Sequence, residues 1–160
     1  MAKESAGLLL YRRRGAATEV FLVHPGGPFW AKRDAGAWSI PKGEPAPGEE
    51  PLAAARREVA EETGLAVEGP FRPLEPCRQK GGKLVQAWAV EAGGLEWDPA
   101  ASRANTVEIE WPPRSGRTLA VPEVDRAEWL GLAVARTKIN PAQAVFLDQL
   151  ERLLDPSRDA

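Results

Sequence analysis

The hydrophobic residues in the first part of the chain form short runs, and glycine, proline and charged residues separate these runs. Residues 5–12, with three leucines at their centre, and the apolar run 20–23 each predict a buried strand, because both are short and bounded by loop residues. Residues 38–40 predict a third, brief strand. The intervening residues 24–36 hold several glycines and prolines, so we expect no regular structure there.

A helix is predicted between Pro51 and Gly64. Leu52, Ala55 and Val59 recur at helical spacing and give a modest apolar stripe. Pro51 suits the first turn, and Gly64 suits the position just beyond the last turn. We therefore expect the helix to include Pro51 and to end immediately before Gly64.

The second half of the chain predicts more strands and a final helix. The strands are expected at residues 72–80, 83–90, 106–111 and 127–130. Gly81-Gly82 is a two-residue hairpin signal between the first two of them. The final helix is expected at about 140–154, with Asn140 as its cap and Pro141 in its first turn. Together these elements predict an α/β fold, with a mixed β-sheet and at least two helices, in a single domain spanning residues 1–160.

Composition and charge exclude several function classes. The chain has 160 residues and a formal net charge of -2, which argues against broad nucleic-acid binding, since that rests on a basic surface. No stretch reaches the roughly 18 apolar residues of a membrane span, and residues 1–11 lack the apolar region of a secretory signal. Cys77 is the sole cysteine, so an internal disulfide is impossible and a cytoplasmic location is expected. The sequence leaves monomer and homodimer open.

Three glutamates lie where a helix normally favours cations. Glu58, Glu61 and Glu62 occupy the last turns of the predicted helix, where each carboxylate opposes the helix dipole by roughly 0.3–1 kcal/mol. Residues three and four apart share one helix face, so we expect the carboxylate oxygens to converge on one volume. Oxygen ligands of this kind suit Mg²⁺ or Mn²⁺ better than zinc. The pattern therefore predicts a divalent-metal site.

The segment around this helix matches a known motif at every fixed position. The matching residues are Gly43, Glu49, Arg57, Glu58, Val59, Glu61, Glu62, Gly64 and Leu65, with the spacing GX5EX7REUXEEXGU. By this motif the chain resembles the Nudix hydrolase family. The resemblance implies an α/β/α sandwich with a loop–helix–loop catalytic element, and hydrolysis of a nucleoside diphosphate linked to another moiety with Mg²⁺ or Mn²⁺. It also implies a small-molecule nucleotide as the substrate, with no nucleic acid or membrane as partner.

The resemblance also assigns roles to individual residues. The implied metal ligands are the carbonyl of Gly43 and the side chains of Glu58, Glu61 and Glu62, with Glu123 as a later acidic ligand. Arg57 resembles the residue that orients these carboxylates, partly through Glu49. Either Glu61 or Glu62 is the expected general base. Arg57, Glu58, Glu61 and Glu62 are therefore the expected catalytic residues.

Candidate substrate contacts precede the motif. Lys42 and Lys32 are expected to contact phosphates, and Trp30 and Trp38 each offer an aromatic face on which a base can stack. The alternatives are an exposed loop charge for each lysine and core packing for each of the two tryptophans. Residues 38–43 are similar to the approach to the motif in dinucleoside polyphosphate hydrolases, which favours such a substrate or a nucleoside triphosphate. For His24, the only histidine, a structural or solvated role is expected.

Other functions remain open at the level of sequence. An ADP-ribose or nucleotide-sugar pyrophosphatase fits the same motif. Some Nudix-like domains bind nucleotides and regulate partners without turnover, but such domains often lose glutamates of the motif, and none is lost here. Isoprenoid diphosphate isomerase chemistry shares the fold, and a single cysteine far from the motif gives it little support. A metal-dependent pyrophosphohydrolase is the function that the sequence favours.

Overall fold

The computed structural model describes residues 3–93, 106–122 and 124–155. In these ranges the strands are β1 (Glu4–Arg14), β2 (Ala17–Pro25), β3 (Lys42–Gly43), β4 (Arg72–Pro73), β5 (Cys77–Arg78), β6 (Leu84–Glu91), β7 (Thr106–Glu110), β8 (Thr118–Pro122) and β9 (Val124–Gly131). The helices are α1 (Pro51–Thr63), α2 (Leu132–Lys138) and α3 (Ala144–Leu154), and a short 3-10 turn at Pro141–Gln143 precedes α3. None of the helices in the described ranges has the length and apolar character to cross a membrane.

A mixed β-sheet forms the centre of the molecule. Within the described residues its strand order is β4-β6-β1-β2-β9, with β3 paired to β1 and β5 paired to β6. Strand β1 pairs antiparallel with β2 and parallel with β6. Helix α1 lies between β2 and β6 in the chain, which is the crossover that a parallel pair requires. The expected mixed sheet is confirmed.

The three leucines of β1 show how both faces of this sheet are covered. Successive side chains of a strand point to opposite faces. Leu9 packs in a cluster with Phe146 of α3, whereas Leu8 and Leu10 pack in a second cluster with Val59 of α1. All three leucines are fully buried. Helices therefore cover both faces, and the expected α/β/α sandwich is confirmed.

The two helices predicted from sequence are present. Helix α1 begins at Pro51 and ends at Thr63, and Gly64 follows it with a left-handed φ of 78°. The Asn140 side chain accepts a hydrogen bond of 2.9 Å from the backbone N–H of Ala142, as its predicted capping role requires. The final helical segment then continues to Leu154. The local capping rules thus place the ends of both helices correctly.

Several strand predictions need correction. Residues 72–80 do not form one strand; β4 and β5 are separated by residues 74–76, where Pro76 cannot donate a ladder hydrogen bond. Residues 38–40 form only isolated bridges, whereas Lys42–Gly43, predicted as loop, pairs with β1. A hairpin forms at the predicted glycines, both of which adopt positive φ, but its loop has three residues and not the predicted two. Arg78 pairs with Leu84, and a 2.8 Å backbone hydrogen bond joins Gln79 to Lys83.

Besides β3, two further elements were not predicted. Helix α2 has only seven residues, too few for helical periodicity to be recognised. Strand β8 pairs antiparallel with the predicted β7, and the two form a small sheet of their own. This β7–β8 hairpin contributes to a pocket described below.

Candidate active site

The loop before α1 and the C-terminal half of α1 meet at a polar cleft of about 610 Å³. Strand β3 holds this loop against the main sheet through its antiparallel pairing with β1. Lys42 and Gly43 of β3 and Glu58 and Glu62 of α1 all line the cleft. The structure therefore brings three of the predicted metal ligands, Gly43, Glu58 and Glu62, to one cleft with Lys42.

Gly43 and Glu58 are in contact so close that only glycine fits at residue 43. A Cβ atom added to Gly43 would overlap the Cγ, Cδ and Oε2 atoms of Glu58. The backbone of Gly43 does not adopt a positive φ, so the glycine is required by the approach of the carboxylate and not by backbone conformation. This contact explains physically why the motif begins with glycine.

Arg57 binds four oxygens of three glutamates. Its guanidinium donates two hydrogen bonds to Glu49, of 2.9 and 2.8 Å, one of 3.0 Å to Glu58 and one of 3.1 Å to Glu61. The paired bonds to Glu49 are the bidentate geometry that arginine favours with carboxylates. The predicted orienting role of Arg57 therefore has a geometric basis, because this one side chain holds carboxylates from both the loop and the helix.

These hydrogen bonds shift the ionisation of the residues involved. The bonds from Arg57, and after them the bond from the backbone N–H of Ala46, lower the pKa of Glu49 to about 2. Glu49 in turn is the main cause that raises the pKa of Arg57 above its ordinary value. Both groups therefore stay charged throughout the physiological range, and the loop remains attached to α1.

Lys42 and Glu62 line the cleft, whereas Arg57 and Glu49 do not. The backbone N–H of Lys42 donates a 3.3 Å hydrogen bond to Glu62 Oε2. Burial lowers the pKa of Lys42, and the nearby Lys83 lowers it further, while Glu62 acts in the opposite direction. Lys83 also lines the cleft. Two lysines thus share a partly buried volume with carboxylates, which is a suitable environment for a phosphate chain.

The oxygen ligands in the cleft suit a hard divalent cation whose remaining coordination positions would be filled by the substrate. Glu58, Glu62 and the Gly43 backbone offer only oxygen ligands at this position, and Mg²⁺ is commonly bound by one or two carboxylates together with phosphates and waters. The side chain of Glu61 is 53% exposed and bonded to Arg57. Across the described residues, no three acidic, histidine or cysteine side chains converge as a preformed metal cage.

Of the remaining predicted residues, Trp30 and Trp38 also line the cleft. The Trp38 ring is only 1% exposed, and its Nε1 donates a 2.8 Å hydrogen bond to Asp34. The ring is therefore part of the core, and its predicted role as an open stacking face for a base is not supported. Lys32 is exposed and is not among the residues that line the cleft. The predicted ligand Glu123 lies outside the described residues.

His24 has the structural role that the sequence left open. Its side chain is fully buried at the end of β2. Nδ1 lies 2.7 Å from Asp125 Oδ1, and Nε2 lies 2.6 Å from the carbonyl oxygen of Arg33. The ring thus joins β9 to the loop after β2, which forms one wall of the cleft.

Sequence reasoning missed several residues of the cleft. Gln143 is fully buried; it accepts a 3.0 Å hydrogen bond from the Ile40 N–H and donates to Gln79 Oε1 at 2.8 Å. Ser5 Oγ is buried and has no hydrogen-bond partner among the residues that the structure describes. Ser5, Gln79, Lys83 and Gln143 all line the cleft. No local pattern marks these residues, because they come from β1, a turn and the segment before α3.

Comparisons with known proteins identify similar folds. The chain is similar in structure to an Ap4A hydrolase from C. elegans in a binary complex, with 21% identity, 94% of this chain and 97% of that chain covered, and a TM-score of 0.66. It is also similar to the NUDIX domain of NrtR from Shewanella oneidensis complexed with ADP ribose, with 14% identity, coverage of 96% and 89%, and a TM-score of 0.66. These likenesses show the fold.

A third similar structure comes from a study of MutT from Aliivibrio salmonicida and Vibrio cholerae, with 16% identity, coverage of 92% and 94%, and a TM-score of 0.56. No match is found among curated proteins. A family model described as the NUDIX domain matches residues 1–150. Because this match covers most of the chain and the motif keeps every glutamate, the chain belongs to the Nudix hydrolase family.

Proposed function

We propose that this chain is a divalent-metal-dependent pyrophosphohydrolase that cleaves a nucleoside diphosphate linked to another moiety. The observation that carries the proposal is the close contact between Gly43 and Glu58 in a polar cleft that Glu62 and two lysines also line. This arrangement places anionic metal ligands and cationic phosphate contacts in one volume. The chain acts as a single Nudix domain.

Gly43, Glu58 and Glu62 would hold the metal in this proposal. A divalent cation bound there neutralises phosphate oxygens and lowers the pKa of a bound water. Arg57 keeps the Glu58 carboxylate oriented through its 3.0 Å hydrogen bond. Lys42 and Lys83 contact the phosphates and stabilise the negative charge of the transition state.

Glu62 is the general base in this proposal. It lines the cleft, where it can remove a proton from the attacking water. Glu61, the alternative base, is bound to Arg57 and is 53% exposed, so it acts as a positioning residue for Arg57 or as a peripheral ligand. In this proposal Glu58 is a metal ligand, and Glu62, one turn later on α1, is both a ligand and the general base, while Gly43 of β3 supplies a further ligand.

We favour a dinucleoside polyphosphate or a nucleoside triphosphate as the substrate. The approach to the motif at residues 38–43 supports this choice, as does the structural likeness to an Ap4A hydrolase. The likeness to a NUDIX domain complexed with ADP ribose supports an alternative substrate class, ADP-ribose or a nucleotide sugar. Both classes contain the same diphosphate, so the polar cleft serves either.

A substrate panel tests the proposal. Nucleoside triphosphates, dinucleoside polyphosphates, ADP-ribose and nucleotide sugars are incubated with the full chain and Mg²⁺ or Mn²⁺, and phosphate, pyrophosphate and nucleotide products are measured. Glu62→Gln should lower kcat on the best substrate by about 10²–10⁴-fold, the usual contribution of a general base. Glu50→Gln is the matched control, because Glu50 is exposed just before α1 and does not line the cleft.

The outcomes separate the candidate functions. Metal-dependent turnover that Glu62→Gln abolishes and Glu50→Gln preserves is the expected result. Full turnover by Glu62→Gln would remove Glu62 from the mechanism. Tight nucleotide binding with no turnover on any member of the panel would favour a nucleotide-sensing module instead.

A further inference from the structure

An apolar pocket of about 470 Å³ lies next to the polar cleft. One wall is the loop after β2, which contributes Phe29 and Trp30, and the other is the β7–β8 hairpin, which contributes Val107 and Trp111. Phe29 is 49% exposed and Val107 is 37% exposed. Large apolar side chains gathered around one exposed concavity are typical of a binding site.

The apolar pocket and the polar cleft adjoin each other. Pro25 and Trp30 line both of them, so the two volumes meet at these residues. A ligand that places phosphates beside Lys42 and Lys83 can therefore extend past Trp30 into the apolar pocket. Each volume is within the usual range for a small-molecule site.

The lining of the apolar pocket favours a flat aromatic group. Phe29 and Trp30 form an edge-to-face pair with ring centroids 4.9 Å apart, and the Arg33 guanidinium lies 4.3 Å from the Phe29 ring centroid. These contacts hold Phe29 in place while half of its surface stays accessible. Aromatic side chains fixed in this way bind planar rings through their faces.

Glu110 adds a polar group to the same pocket. One of its carboxylate oxygens accepts a 2.7 Å hydrogen bond from the backbone N–H of Arg114. The Glu110 carboxylate would repel a phosphate in the apolar pocket. It can instead accept a hydrogen bond from an amino group of the ligand. A nucleobase with an exocyclic amine matches both the aromatic lining and this acceptor better than an alkyl chain does.

We propose that the pocket between the loop after β2 and the β7–β8 hairpin binds the nucleobase of the substrate while the phosphates occupy the polar cleft. The inference rests on the proposed function for the identity of the polar cleft. It assigns substrate selection to Phe29, Trp30, Val107 and Trp111, in place of the buried Trp38. The base is thereby held away from the carboxylates of α1.

Two non-hydrolysable ligands test the base site separately from turnover. α,β-Methylene-ADP carries an adenine, and methylenediphosphonate is its base-free counterpart. Their binding to the full chain with Mg²⁺ is measured by isothermal titration calorimetry. Phe29→Ala should weaken α,β-methylene-ADP by about 5- to 150-fold, the range given by loss of base–aromatic stacking. Val107→Asp, which places a carboxylate in the apolar lining, should weaken it by at least about fivefold. Methylenediphosphonate should change by no more than about twofold.

Leu119→Asp is the matched control for Val107→Asp. Leu119 lies on the same hairpin and is 40% exposed, but it does not line the pocket. The control adds the same charge to the same element, so it should leave both ligands within about twofold of the parent. Circular dichroism and melting curves of each variant establish that the hairpin change does not unfold the chain.

Three results would overturn the proposed nucleobase site. The first is that α,β-methylene-ADP does not bind, and the second is that the pocket variants weaken both ligands equally. The third is that an alkyl methylenediphosphonate binds more tightly than α,β-methylene-ADP and that the pocket variants weaken its binding. Failure of the proposed function is distinct, because it is the absence of turnover across the nucleotide panel. If the chain hydrolyses a nucleotide but the pocket variants do not selectively weaken the binding of α,β-methylene-ADP, the nucleobase site is refuted and the proposed function stands.

Discussion

Substitution of Gly43 by alanine tests the central contact of the site. The new Cβ would overlap three side-chain atoms of Glu58, including Cγ, so rotation of the carboxylate alone cannot relieve the overlap. Glu58 must adopt another rotamer, and its 3.0 Å hydrogen bond from Arg57 is then lost. The substitution therefore displaces one proposed metal ligand while leaving its chemistry unchanged.

The expected magnitudes differ for activity and stability. A displacement of roughly 1 Å at a reacting group can reduce activity by about 100-fold. The altered rotamer costs about 1 kcal/mol and the lost, partly exposed hydrogen bond about 1 kcal/mol more. Alanine has fewer backbone conformations than glycine in the unfolded chain, and this difference stabilises the folded state by about 0.4–1 kcal/mol. We therefore expect Gly43→Ala to unfold about 1 kcal/mol more easily, a fall in Tm of only a few degrees.

A double-mutant cycle in urea denaturation, together with metal-dependent turnover, measures both effects. In a Glu58→Ala background the obstacle is gone, so Gly43→Ala should become stabilising by about 0.4–1 kcal/mol. Gly131→Ala is the control, because a Cβ there meets nothing within 4 Å; it should leave turnover unchanged. An equal cost of Gly43→Ala with and without Glu58 would refute the steric argument.

Three further predictions concern metal, pH and the wall of the cleft. Mg²⁺ or Mn²⁺ at 100 times its Kd should stabilise the chain by about 2.7 kcal/mol, and in melting curves Glu58→Ala should lose most of that gain; an unchanged gain would place the metal elsewhere. Because the folded-state pKa of Glu49 is about 2 against a usual 4.5, its contribution to stability is present above pH 4.5 and is lost as the pH falls towards 2. An NMR titration of Arg57→Ala should return the pKa of Glu49 towards 4.5, and no change would remove Arg57 as the cause. Gln143→Leu should destabilise the chain by about 1–3 kcal/mol in urea denaturation, because the buried N–H of Ile40 loses its acceptor; a change under about 0.5 kcal/mol would contradict that role.

Elements governed by local rules could be predicted from the sequence. The bounds of α1 follow from Pro51, which suits a first turn, and from Gly64, which adopts the left-handed conformation that closes the helix. Asn140 signals the final helical segment in the same way. Neither boundary depends on residues distant in the chain, and for that reason neighbouring residues were sufficient.

Elements fixed by distant contacts could not be predicted. Lys42–Gly43 is too short to be recognised as a strand, and it is a strand only because β1 lies beside it. Trp38 stands near the motif in the sequence, but residues 37–39 run beside Ile139, and this packing buries the ring. Gln143 reaches the cleft because α3 packs against the sheet. Each of these facts depends on tertiary packing that a linear pattern does not contain.

The acidic end of α1 shows where a motif stops being informative. The spacing of the glutamates predicts a shared helix face, but it does not predict which carboxylates turn towards Arg57. In the structure Arg57 binds Glu49, Glu58 and Glu61. Glu58 also lines the cleft, together with Glu62. Since Arg57 already offsets part of the repulsion, the helix is stable without requiring a cation at every glutamate. Under the proposed function, a metal is needed only at the cleft side, where a phosphate chain would complete its shell.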